Sequence, residues 1–232
     1  MSHALRSIAF GAELIHPPVK HDPRRLQSLH AEMFGNADCA YRDFKLVNGG
    51  AMLSNAFSGM PGTPVSSLTL LPDRIQVREE QTGAGSDDFR RRIDAIARSA
   101  LSNLPMNVLL VQQYVVRSVV NPDSTDDARA FMVRGVFGFD EDELAPLVDT
   151  PTLAGLRLAF PPRGGDAGIF NVRLESFSQD NRSLFLEAVG TFSRPIQRDD
   201  VDPVGERFGA TYAFLEERLL AFVQHFDVEQ DT

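Results

Sequence analysis

DPVGERFGATYAFLEERLLAFVQHF, residues 202–226, reads as one long amphipathic helix. Phe208, Tyr212, Leu215, Leu219, Phe222 and Phe226 recur at spacings of four, three, four, three and four. That 3.5-residue period lines all six on one face. Asp202 suits the N-cap and Pro203 the first helical position. Fully burying such side chains contributes about 1.5–3 kcal/mol each at the upper end. A face this apolar must lie on a sheet of its own chain or on a partner helix.

The rest of the chain supplies the sheet. Ser7 to Ile15 alternates, with Ile8, Phe10, Ala12 and Leu14 facing one way, as in a half-buried strand. Asp22-Pro23 opens a helix with Leu26, Leu29, His30 and Met33 or Phe34 on its inner face, ended by Gly35-Asn36. Tyr41–Val47 and Ala51–Phe57 flank the hairpin signal Asn48-Gly49-Gly50. Val65–Leu71 and Arg74–Glu80 hinge on Pro72-Asp73. A second long helix runs from Ser86 or Asp87 to Leu104, with Phe89, Ile93, Ile96, Ala97, Ala100 and Leu104 inward, and Pro105 stops it.

A second round follows. Asn107–Val120 is rich in β-branched residues and reads as one long strand. Asp127–Phe137 fits a helix or a strand. The acidic run Asp140–Glu143 suits the cap of a short helix through Leu147. Thr152–Phe160, Ile169–Phe177 and Ser183–Phe192 read as strands. In the middle one, Phe170, Val172 and Leu174 alternate with Asn171, Arg173 and Glu175. The expected fold class is α+β, with antiparallel sheets, one per half, packed against long helices. The halves, residues 1–105 and 106–232, share one order: strand, helix, strands, helix. No sequence repeat aligns between them, so they form either two pseudo-repeats of pattern or one continuous domain.

That order resembles the tandem repeats of TATA-binding-protein-like folds, in which each half is a curved antiparallel sheet backed by helices. The basic face with which such folds bind DNA has no counterpart in this sequence. A second resemblance rests on Gln112-Gln113-Tyr114-Val115-Val116-Arg117-Ser118-Val119-Val120-Asn121, the strands 170–177 and 183–192, and the helix 213–226. Over residues 65–226 this layout is similar to a sporadically distributed family of uncharacterised bacterial α+β proteins. In that family a strand carrying Arg, Tyr and Asn follows the central helix. The arginine and glycine usual before the tyrosine are replaced here by Gln112 and Gln113. The resemblance implies an antiparallel α+β fold and a bacterial source, and brings no catalytic residues with it.

Composition narrows the function classes. The chain has 232 residues, 43% hydrophobic and 24% charged, which suits one large domain or two small ones. Net charge is −9, and residues 106–232 carry 11 basic against 21 acidic side chains. Nucleic-acid affinity depends on neutralising phosphates, so a nucleic-acid partner is not expected. Cys39 is the only cysteine, which excludes a disulfide framework and a cysteine zinc site. No basic-then-apolar leader opens the sequence, and the longest apolar run, Val108–Val120, is broken by Gln112, Gln113, Arg117 and Ser118. The expectation is a cytoplasmic protein that spans no membrane.

Candidate chemistry is sparse. His16, His21 and His30 lie near Asp22, Glu32 and Cys39, but none has the helical spacing of a metal motif, so no metal or cofactor is expected. Nothing places a base against Cys39, and Ser58 lacks the glycine that a nucleophile elbow needs. None of the glycine-rich stretches is a phosphate loop or dinucleotide fingerprint, and the best candidate for a functional loop is Gly59-Met60-Pro61-Gly62. Arg90, Arg91 and Arg92 form a cluster suited to a solvated helix face or an acidic partner, with Asp140–Glu143 or Asp199–Asp202 as complements. Tyr114, Arg117 and Asn171 are the remaining interaction candidates. The leading expectation is a non-enzymatic binding or assembly protein, a homo-oligomer or the partner of another protein. The alternative is a small-molecule-binding protein or enzyme with a pocket between sheet and helix.

Overall fold

In the computed structural model the described residues are 5–57, 60, 62–147, 151–162, 164 and 168–228. The first half contains β1 (Arg6–Ile15), α1 (Pro23–Phe34), β2 (Asp43–Val47), β3 (Gly50–Phe57), β4 (Val65–Leu70), β5 (Arg74–Glu80) and α2 (Ser86–Asn103). The second has β6 (Val108–Leu109), β7 (Val111–Val120), α3 (Ala128–Ala130), which continues as a π-helical turn over Phe131–Val136, and α4 (Glu141–Leu144). Next come β8 (Gly155–Phe160), β9 (Ile169–Ser176), β10 (Leu184–Phe192) and β11 (Ile196–Gln197). The long helix closes the order as α5 (Pro203–Ala213), a π-helical turn over Phe214–Leu219, and α6 (Leu220–Phe226).

The strands of the two halves join in one nine-stranded antiparallel sheet, ordered β2-β3-β4-β5-β1-β7-β10-β9-β8. The expectation of one sheet per half is therefore corrected. β1 pairs with β5 on one edge and with β7 on the other, so the sheet runs unbroken across the division at residue 105. Outward from the β1–β7 pair, each side meets a meander from its last strand to its first: β5, β4, β3 and β2 on one side, β10, β9 and β8 on the other. The strand expected over 107–120 is split. Val108 and Leu109 leave the large sheet and pair with β11.

Strand alternation sets the two faces. Phe10, Ala12 and Leu14 of β1, Tyr114 and Val116 of β7, and Leu184, Leu186 and Ala188 of β10 are buried beneath the helices. A register shift between Ser7 and Ala9 takes Ile8 out of that alternation. Over β1 the two long helices meet: Phe10 stacks on Phe89 of α2 at 5.4 Å and meets Phe208 of α5 edge-on at 5.7 Å. The close seat of α5 on β10 needs Gly190, where a Cβ would overlap the Thr211 hydroxyl.

Local signals behave as the sequence predicts at several ends. Asp22 caps α1, its carboxylate accepting the Arg24 N–H at 2.9 Å. Asn48 (φ 28°) and Gly49 (φ 78°) take left-handed backbone in the β2–β3 hairpin. Residues 128–136 are helical, capped by Asp127. Asp140 and Glu143 form a reciprocal capping box, each carboxylate accepting the other's backbone N–H, at 3.0 and 2.9 Å.

The last helix departs in two ways. Asp202 has helical backbone and makes no side-chain cap; its carboxylate pairs with Arg98 instead. A carboxylate from another helix, Asp94 of α2, packs against this first turn, where a Cβ at Gly205 would overlap it. The buried stripe also shifts. Phe208, Leu215 and Leu219 are buried, but Tyr212, Phe222 and Phe226 lie half-buried, while Val204, Thr211, Leu220 and Val223 are buried in their place. The wider π-helical turn at 214–219 rotates the face, which a constant period cannot follow.

Candidate functional site

The π-helical turn of the last helix forms one wall of a cleft. The opposite wall is the helix-facing side of β8 and β9. Alternation on those strands points Leu158, Phe160, Phe170 and Val172 inward, and the turn supplies Phe214 and Arg218. The cleft has a volume of about 510 Å³. Phe170 and Phe214 stack in parallel at 4.5 Å, and Phe160 leans on Phe214 at 5.3 Å, so sheet and helix touch at its floor. Arg218 is the one charged side chain in the lining among the described residues, is exposed, and has no ion-pair partner there. No acid–base pair or nucleophile lines the cleft among the described residues. The lining offers apolar surface, aromatic faces and one cation.

Tyr114 does not reach this cleft. It faces the core of the same sheet side, fully buried, edge-on to Phe192 at 6.0 Å and Phe208 at 6.2 Å. Its hydroxyl has no partner among the described residues, and burial pushes its pKa far up, so it acts as core. Arg117 and Asn171 lie on the other side of the sheet, which the helices leave uncovered. Arg117 donates to Glu187 at 2.6 Å. Asn171 lines a separate hollow of about 360 Å³ with Arg157, Arg173 and Glu187.

The arginines of α2 diverge. Arg92 points inward to the buried Glu79 and also donates to the Asp38 carbonyl at 3.1 Å. Arg91 is exposed between Asp38 and Asp88. Arg90 stands beside Asp94 and over Gly209 of α5. The acidic complements proposed from the sequence are engaged elsewhere: Asp202 with Arg98, and Asp140 with Glu143. Gln112, at the position where the family resemblance leads one to expect an arginine or glycine, is buried and accepts from Arg207.

The histidines are structural. The ring nitrogens of His16, His21 and His30 donate to the carbonyls of Pro17, Leu71 and Tyr41 at 2.8, 2.9 and 3.0 Å. Among the described residues no three His, Cys, Asp or Glu side chains converge to hold a metal. Cys39 is buried, and that desolvation pushes its thiol up to about 11. No described helix is long and apolar enough to cross a membrane. Of the loop Gly59-Met60-Pro61-Gly62, Gly59 and Pro61 lie outside the described residues. No signal in the sequence marks the cleft, because it depends on the π-helical turn and on which strand lies at the sheet edge. No family model matches the chain, and no curated protein matches it.

Proposed function

We propose that this chain is a small-molecule-binding protein that takes an apolar ligand into the cleft between β8–β9 and the last helix. The observation that carries the reading is the cleft itself: about 510 Å³, walled by Leu158, Phe160, Phe170 and Phe214. That lies within the roughly 300–1,000 Å³ of small-molecule sites. A π-helical turn interrupting a long helix at this wall supports it, since such turns recur at functional sites. The lining favours non-covalent binding over catalysis. A ligand bearing an anionic end suits Arg218.

Assembly is the second reading. The last helix is core rather than a free face, so support for self-association moves to the outermost strands. Each has an open edge and one exposed leucine, Leu46 on β2 and Leu158 on β8.

A native mass spectrum of the purified chain, with no ligand added, separates these readings. Excess mass from a small apolar molecule supports the cleft; a clean multiple of the chain mass with no adduct supports assembly. Titration with the dye 1-anilinonaphthalene-8-sulfonate then tests the place. Leu158→Trp fills the mouth from an exposed strand position and should weaken dye binding at least tenfold. Unchanged dye affinity in that folded variant would overturn the assignment.

A further inference from the structure

We propose a second binding site, for a small oxyanion, on the uncovered side of the sheet between Arg157 and Arg173. It stands independently of the apolar cleft. The strand registers carry the argument. Arg157 of β8 lies directly opposite Arg173 of β9, Arg173 opposite Glu187 of β10, and Glu187 opposite Arg117 of β7. Directly opposed residues share a face. One line across four strands thus holds three guanidinium groups and one carboxylate.

That carboxylate is already engaged. Arg117 Nε donates to Glu187 at 2.6 Å, whereas Arg173 Nε makes only loose ion pairs, 3.6 Å from Glu187 and 3.8 Å from Glu175. Both of those separations exceed hydrogen-bond length. Arg173 Nε is a buried donor with no hydrogen-bond partner among the described residues. Its guanidinium lies over the Phe185 ring, 4.6 Å from its centre. Arg157 is exposed and has no ion pair among the described residues. Like charges directly opposite one another destabilise a sheet. The ion pairs of Arg173 with Glu187 and Glu175 offset only part of the Arg157–Arg173 repulsion, and a bound anion would relieve the rest.

The neighbouring line leaves room for one. It reads Ala159, Asn171, Val189, Val115 and Gly11 across five strands, mostly short side chains. The hollow of about 360 Å³ lies there, with Arg157, Arg173 and Asn171 in its wall beside Glu187, which Arg117 neutralises. Two guanidinium groups and an amide suit a group with two or more charged oxygens, a carboxylate or a phosphate, held by paired N–H donors. The shared chemistry is the compact oxyanion.

The test is thermal unfolding and calorimetric titration of the full chain with inorganic phosphate, with succinate, and with chloride at matched ionic strength. Saturable stabilisation by phosphate, by succinate or by both, beyond the chloride response, supports the site and identifies its oxyanion. Arg157→Gln should weaken that binding at least tenfold. It should also leave the ligand-free melting temperature unchanged or raised, because it removes a repulsion. Arg173→Gln should lose binding as well. If that variant fails to fold, Arg157→Gln, at an exposed edge position, still decides. Responses to phosphate and succinate that match chloride, or wild-type affinity in Arg157→Gln, would overturn the proposal.

Discussion

Arg92→Ala should destabilise the protein far more than Arg91→Ala, although the two residues are sequence neighbours on one helix. Glu79 projects from the helix-facing side of β5, and its side chain is 2% exposed. Arg92, 21% exposed, is its charge partner. Removing one member of a buried ion pair leaves a charge without compensation and costs about 3–5 kcal/mol. Two features place this case at the lower end. The Ser66 hydroxyl still donates to Glu79 at 2.7 Å, and Arg92 retains some contact with solvent. The expected loss is about 3 kcal/mol. Arg91 is 56% exposed, as is Asp88, and its other partner Asp38 is 48% exposed. Such a pair contributes about 0–1 kcal/mol.

For a chain of this length, 1 kcal/mol moves the melting temperature by roughly 2–4 °C. Arg92→Ala should therefore lower it by roughly 6–12 °C, and Arg91→Ala by less than about 4 °C. Scanning calorimetry reads both. Glu79→Gln combined with Arg92→Gln should recover most of the loss, because no buried charge then remains. Equal effects of the two alanine variants, or strict additivity in the double variant, would refute the reasoning.

Two further outcomes follow from burial. Desolvation raises the Asp94 carboxyl above its ordinary 3.8. The folded chain then holds that proton more tightly than the unfolded chain, so stability from this group is present below pH 3.8 and is lost as pH rises through the folded value. Asp94→Asn keeps the side-chain shape against Gly205, and its stability relative to wild type should climb with pH above 3.8 and then level; urea midpoints showing a pH-independent difference would refute this. Cys39, buried with its thiol near 11, should react with Ellman's reagent only as fast as the chain opens. Rapid labelling of the native protein at pH 8 would contradict that.

The sequence made the fold class legible because strand and helix periods are local. Phe10, Ala12 and Leu14 alternate, and Phe89, Ile93, Ile96 and Ala100 recur at helical spacing, whatever they pack against. What it hid was non-local. Asp94 packs against the first turn of a helix more than 100 positions away, while Asp202, beside Pro203, makes no cap. The joining of the sheets depends on both edges of β1 being paired, which no periodicity encodes. Asn171 and Arg173 showed as the polar side of an alternating strand. Their meeting with Arg157 depends on register, where a slip of one residue would send every side chain to the opposite face.

Both proposed sites use β8 and β9, one on each side of the same two strands, and the helix cover explains why. In the first half α1 runs for 12 residues and lies along the outer strands, where His30 stacks on Phe44 of β2 at 5.3 Å. In the second half the helix after β7 is shorter: three residues of α3 and six in the π-helical turn. It is tied to the β9–β10 turn by the Ala128 N–H to the Asn181 carbonyl at 2.8 Å. That turn follows the end of β9, whereas Phe160 and Phe170 pair at its beginning. At that beginning, among the described residues, the last helix covers the sheet through its own π-helical turn. The apolar side of β8 is consequently left open as a cleft, while its other side carries Arg157 at an edge where no further strand among the described residues supplies a carboxylate. A shorter covering helix at one sheet edge is enough to leave room for ligands on both sides of it.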